Sequence, residues 1–162
     1  MPYRMIAAAL MLVALAVANA TTARAQTIAD AGNTLRALDL RMRALNTARK
    51  TLEQMESHHD DREADAARAI ADADVAVFGA AVKVFTVAFM MTGMKSPDDV
   101  RFSQQQFGLA VKSFVTTADE ELSRVNDNLH DVAAPAALAE ASNIRDVIVD
   151  MRNFLNPFAA KE

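Results

Sequence analysis

Apolar side chains recur every three or four residues along most of this 162-residue chain. Because a helix turns once in 3.6 residues, such spacing places them along one side of an α-helix. Four stretches show the pattern, and none shows the alternation bounded by glycine-rich turns that is typical of strands. The four stripes run through Ile28, Ala31, Leu35, Leu38, Met42, Leu45, Leu52 and Met55; through the segment from about Arg62 to Thr92; through Phe107, Val111, Phe114, Ala118, Leu122, Val125, Leu129 and Val132; and through Ala137, Ala141, Ile144, Ile148, Met151, Leu155 and Phe158.

Short polar segments separate the four stripes. Residues 57–61 are polar, Gly93 is suited to end the second helix, and residues 96–99 read Ser-Pro-Asp-Asp, which is typical of a helix start with Ser as N-cap. The third helix should stop before Pro135 and the fourth at Pro157. Four helical stretches without a strand predict an all-α fold. Because short connections require antiparallel neighbours, we expect an antiparallel up-down-up-down four-helix bundle with three long helices and a shorter fourth. The alternative is an irregular all-helical domain.

The first 25 residues have the layout of a secretory signal peptide. Arg4 precedes the apolar run Ile6–Val17, and Ala23-Arg24-Ala25 is a small-x-small cleavage site. An uncleaved anchor is the alternative, but 12 apolar residues fall short of the about 20 that span a bilayer. We therefore expect a signal peptide at 1–25, a single helical bundle domain at 26–162, and a periplasmic or secreted location.

Composition excludes several classes of function. The chain has no cysteine, so thiol catalysis, thiolate zinc sites and disulfides are impossible. Its net charge is −4 and no basic cluster is present, which argues against nucleic acid as a partner. There is no G-x-S-x-G, no H-E-x-x-H and no glycine-rich phosphate loop. We expect no catalytic residues and no enzymatic activity.

The four predicted helices differ in length. The first three have about 30 to 35 residues, or about 45 to 53 Å, and the fourth has about 21, or about 32 Å. The fourth helix should then end level with Lys112 and leave residues 28–35, 82–94 and 102–111 uncovered. Phenylalanine and methionine are concentrated there, which predicts an apolar binding surface made of Phe85, Phe89, Met90, Met94, Phe102, Phe107, Phe154 and Phe158.

This surface predicts a binding or interaction protein whose partner is a protein, an apolar ligand or a second copy of the chain. In the first alternative, the tail Pro157–Glu162 folds back and these residues are ordinary core. In the second, the 20 residues Val75–Met94 insert into a membrane, which Lys83 near the middle disfavours.

A rival class is a metal-binding or pH-responsive protein. In an antiparallel bundle His58, His59 and His130 lie at the same end, among acidic residues that could join them around zinc or copper. A solvated acidic loop end is the simpler interpretation. Met90, Met91 and Met94 could hold Cu(I) through thioethers at helical spacing, although methionine commonly fills apolar cores. We expect no cofactor, with copper or zinc as the alternative.

Overall fold

The computed structural model describes residues 32–54, 61–94 and 96–159. Helix α1 covers residues 32–54, α2 Asp61–Thr92, α3 Pro97–Leu129 and α4 Pro135–Leu155, and one turn of 3-10 helix follows at Asn156–Phe158. About 92% of the described residues are helical and none of them is in a strand. The predicted all-α four-helix bundle is confirmed.

The second and third helices are longer than the fourth, as the sequence predicts. Helices α2 and α3 have 32 and 33 residues, whereas α4 has 21. The signal peptide predicted at residues 1–25 lies outside the described residues, as do Ile28, Ala31 and Met55 of the first stripe.

The predicted boundaries hold for the second helix and for the end of the fourth, whereas the third helix ends at Leu129 and leaves Val132, the last member of its predicted stripe, beyond it. Two of the capping mechanisms also differ from the prediction. Gly93 is the first residue after α2, yet it has no positive φ, and its N–H donates to the Met90 carbonyl at 3.2 Å. Ser96 is extended at the N-cap of α3, but its side chain makes no capping hydrogen bond. The start of α3 is instead stabilised by the fixed φ of Pro97 and by the carboxylates of the first turn.

Pro135 begins α4 as its first helical residue. The residue before it, Ala134, donates its N–H to Glu63 Oε1 at 2.6 Å, although Glu63 lies 71 positions earlier on α2. This bond fixes the connection between α3 and α4 against the first turn of α2. Arg62 adds an ion pair of 2.7 Å to Asp131 in the same connection.

The core lies where all four helices meet. Its largest fully buried side chains come from every helix, and burial of each contributes about 1.5 to 3 kcal/mol. They are Leu38, Leu45, Leu52, Ile70, Val77, Val84, Val111, Phe114, Ile144, Ile148, Met151 and Leu155. The predicted stripes therefore face inward, except that Phe158, the last member of the fourth stripe, is 42% exposed.

Nine buried positions of α2 follow a repeat of four and three residues, and Ala66, Ala71 and Ala73 are buried beside this stripe. The nine are Glu63, Ala67, Ile70, Asp74, Val77, Ala81, Val84, Ala88 and Met91. This spacing is the one that keeps a helix stripe facing a packed neighbour over its whole length. Helix α2 thus contributes to the interior from its first turn to its last.

Candidate functional site

The chain beyond α4 continues along the bundle and brings Phe158 to Phe107 of α3. The rings of Phe107 and Phe158 are 6.1 Å apart in an edge-to-face arrangement, and those of Phe154 and Phe158 are 6.2 Å apart. Helix α4 itself ends at Leu155, three residues after Arg152, whose Nε is 2.9 Å from Asp119 Oδ1, and the 3-10 turn then carries the tail on to Phe107. Part of the predicted uncovered wall is covered by this aromatic cluster of Phe107, Phe154 and Phe158.

Helix α1 borders the same cluster. A shallow cavity of about 370 Å³ lies between Asn33, Thr34 and Ala37 of α1 and the rings of Phe154 and Phe158. The Arg41 guanidinium lies 4.3 Å above the Phe154 ring, and its Nε is 2.7 Å from Asp150 Oδ2. The described start of α1 and the end of α4 therefore lie side by side.

Beyond Phe107, α2 and α3 continue to their connecting turn. Residues equally distant from a short turn lie side by side in antiparallel helices, so Phe107 is about level with Val82. Here Ala88, Met91 and Val100 are buried, whereas Phe89, Met90 and Phe102 are exposed. We call these three exposed residues the tip patch.

The side of α2 opposite its core positions is apolar in its second half. Val75, Gly79, Val82, Thr86 and Phe89 follow the same spacing of four and three residues and are all exposed. Val75 is 48%, Val82 41% and Phe89 63% accessible. We call these five residues the outer stripe. A Cβ built on Gly79 would meet no atom within 4 Å, so the backbone is open to solvent there.

The eight residues predicted as an apolar surface divide into two groups. Met94 is half-buried, and its sulfur accepts a hydrogen bond from the Ser103 hydroxyl at 2.9 Å. Phe85, Phe107 and Phe154 are also half-buried and pack against the core. The exposed members are Phe89, Met90, Phe102 and Phe158.

The histidine site stays a prediction, because His58 and His59 lie outside the described residues. The His130 side chain is 68% exposed and its Nε2 is 3.5 Å from Asp131 Oδ1. Arg62 already binds that oxygen at 2.7 Å. Within residues 32–54, 61–94 and 96–159, no three His, Cys, Asp or Glu side chains are placed to hold a metal ion.

The predicted Cu(I) site at Met90, Met91 and Met94 requires that the helix continue to Met94. Helix α2 ends at Thr92, so Met94 lies beyond it and is engaged by Ser103. Met91 is buried at 5% exposure and Met90 is 51% exposed, so these neighbours face opposite environments. The helical spacing on which the Cu(I) prediction depended is therefore not present in full.

One helix in the described part of the chain, α2, is long and apolar enough to cross a membrane by length and composition. Only 28% of its most apolar 18 residues is buried inside the protein. This low share reflects the outer stripe, since a helix covered on all sides would be mostly buried.

Sequence reasoning missed a buried carboxyl group in the core. Asp74 is 0% exposed, and its Oδ2 is 3.4 Å from Nε of Arg49 on α1. Desolvation by burial raises the pKa of Asp74 from 3.8 to about 7, with Arg49 lowering the pKa and Glu53 raising it. The spacing could have found this residue, because position 74 falls between Ile70 and Val77 on the core stripe of α2.

No protein-family model, curated protein or solved structure matches this chain. The comparisons therefore assign no family, and the surface chemistry is the basis for a functional proposal.

Proposed function

We propose that this protein is an exported, periplasmic or secreted, helical binding protein whose working surface is the outer stripe of α2 together with the tip patch. The observation that carries the proposal is the second apolar stripe on α2. A helix in a bundle needs one apolar side, and the opposite side normally carries charged residues. On α2 the first half conforms, with Arg68 and Asp72 exposed, whereas from Val75 to Thr92 the one charged residue is Lys83, which is exposed beside the outer stripe.

The spacing of the outer stripe favours a helix as the bound element. Residues spaced by four and three positions form a straight seam on a helix, and a partner helix packs along such a seam. Val75 to Phe89 spans about 21 Å, or about four turns, at 1.5 Å per residue. We therefore propose an amphipathic helix of a partner protein as the ligand, bound in the way that helical segments enter apolar grooves.

Two probes test this proposal. A fluorescent dye for exposed apolar surface should bind the native protein, and so should a labelled model peptide with leucines at helical spacing, measured by anisotropy. The double variant Val82→Asp/Phe89→Asp should lose both signals and keep its helical circular dichroism. Both side chains are exposed and neither is a buried member of the core, so the fold should tolerate the substitutions.

The matched control places the same charges on other exposed apolar positions. Leu40 is 69% and Val149 37% exposed, and neither belongs to the outer stripe or the tip patch. Leu40→Asp/Val149→Asp should bind the peptide like the natural chain. Equal loss of binding in both double variants, or no binding by the natural chain, would overturn the proposal. Sedimentation of the protein alone separates self-association from binding of a different partner.

A further inference from the structure

Asp74 lies at the contact between α1 and α2, in the part of the bundle where four helices meet. Its carboxyl is fully enclosed, and neither oxygen has a hydrogen-bond partner. Buried carboxylates are ordinarily satisfied by hydrogen bonds, because a charge removed from water without them is strongly disfavoured. This buried group is therefore suited to the neutral, protonated form.

Among the described residues, the cation close to Asp74 is Arg49, whose guanidinium lies between partners on two helices. Its Nε lies 3.4 Å from Asp74 Oδ2 but makes no hydrogen bond to it. On its own helix Arg49 donates from Nη2 to Asn46 Oδ1 at 2.7 Å, and its Nε lies 3.8 Å from Glu53 Oε1. Arg49 thus keeps partners on α1 even when Asp74 carries no charge.

The charged groups that act on the Asp74 carboxyl, Arg49 and Glu53, both lie on α1. Among the described buried residues of α3 and α4, Glu121 is the ionisable one, and its Oε2 is 3.1 Å from Arg124 on the same helix. The ionisable groups that determine the state of Asp74 are therefore concentrated at the contact between α1 and α2.

We propose that the protonation of Asp74 controls how tightly α1 packs against α2. With the proton bound, the neutral carboxyl is accommodated in the core and α1 is held by its buried leucines. With the proton lost, a charge without hydrogen bonds remains between the two helices, and α1 moves outward so that water reaches the carboxylate. Loosened in this way, α1 uncovers part of the core stripe of α2.

The sign of the pH dependence follows from the raised pKa. The unfolded chain loses this proton near pH 4, whereas burial raises the pKa of the folded group to about 7. Between these values the folded state holds one proton more than the unfolded state. Stability therefore falls as pH rises from about 4 to about 7, by up to about tenfold in the unfolding equilibrium constant per pH unit. Above pH 7 this group adds no further change.

The experiment compares amide hydrogen exchange of α1 and α4 in the natural protein and in Asp74→Asn between pH 5 and pH 8.5. Rates are expressed as protection factors, so that the intrinsic pH dependence of exchange cancels. Protection of residues 38–52 should fall about tenfold or more across this range relative to α4, and Asp74→Asn should remove the fall. Asp72→Asn is the matched control, since Asp72 is an exposed carboxyl on the same turn and should leave the profile unchanged.

A second variant leaves Asp74 in place. Glu53 raises the pKa of Asp74 and is exposed, so Glu53→Gln should fold normally and shift the midpoint of the transition to lower pH. The side-chain carboxyl carbon of Asp74, followed by NMR, should titrate at that same midpoint in each protein. Titration of Asp74 near pH 4, or an α1 transition that is identical in Glu53→Gln and the natural chain, would overturn the proposal.

Discussion

The two ends of the bundle are built from the same two long helices but packed differently. From Glu63 to Ala81, α2 lies against three other helices and contributes to one continuous core. From Val84 to Thr92, Val84 is the one buried member of that core, Ala88 and Met91 are buried outside it, and Phe89 and Met90 are exposed. The comparison shows that a regular core spacing along a helix does not guarantee equal packing along it, because the neighbours end at different levels.

Removal of a large side chain from the four-helix part should have the largest effect. Ile148→Ala leaves a cavity among fully buried residues and should lower the free energy of unfolding by about 2 to 5 kcal/mol. Urea denaturation followed by circular dichroism measures the loss. Phe89→Ala, at the exposed end, should change stability by less than about 0.5 kcal/mol, since surface substitutions seldom do more. Similar losses of unfolding free energy in Ile148→Ala and Phe89→Ala would contradict the proposed difference in packing between the two ends.

Phe107 and Phe158 mark the border between the two ends. Truncation of either ring to alanine should destabilise the bundle, and a double-mutant cycle should give a coupling of about 0.5 to 1.5 kcal/mol, as edge-to-face rings do. Zero coupling would mean that the tail does not rest on α3 in solution, and that the uncovered surface is as large as the sequence predicts.

Ion pairs between helices should matter least. Arg152 Nε lies 2.9 Å from Asp119 Oδ1, but both side chains are substantially exposed. Arg152→Ala should therefore lower the free energy of unfolding by no more than about 1 kcal/mol, with the deficit smaller in high salt. A larger, salt-independent deficit would show that Arg152 acts through packing of its aliphatic stem.

The fold was predictable because it depends mainly on the spacing of apolar residues and on a few prolines between the helices. Ile144, Ile148 and Met151 are buried as their intervals require, and Pro97 starts α3 as its fixed φ favours. The extent of the apolar surface was less predictable. Whether Phe158 reaches Phe107 depends on how a few residues after Pro157 turn, and no periodic pattern governs that segment. The apolar pattern of α2 also does not tell which of its phenylalanines are exposed. Phe85 and Phe89 both belong to that pattern, and only Phe89 is exposed.

Asp74 illustrates a different limit. Position 74 is a core position by spacing, yet an acidic residue among alanines and valines reads as surface until its partner on another helix is known. Arg49 likewise interrupts the apolar stripe of α1. The reason for both polar residues becomes visible only when α1 and α2 are placed together, because Arg49 then lies beside Asp74. Paired exceptions on two predicted stripes are therefore a usable signal for a buried polar contact between two helices.

Gly79 has a consequence for any helix that approaches α2. In the middle of a 32-residue helix, glycine is less favourable than alanine by about 0.5 to 1 kcal/mol, and here no neighbouring atom requires the missing side chain. The missing side chain at Gly79 therefore adds no stability to the isolated bundle. A second helix crossing at Gly79 would gain from it, because the two backbones could come close enough for direct contact between main chains, with Val75 and Val82 on either side of the crossing point.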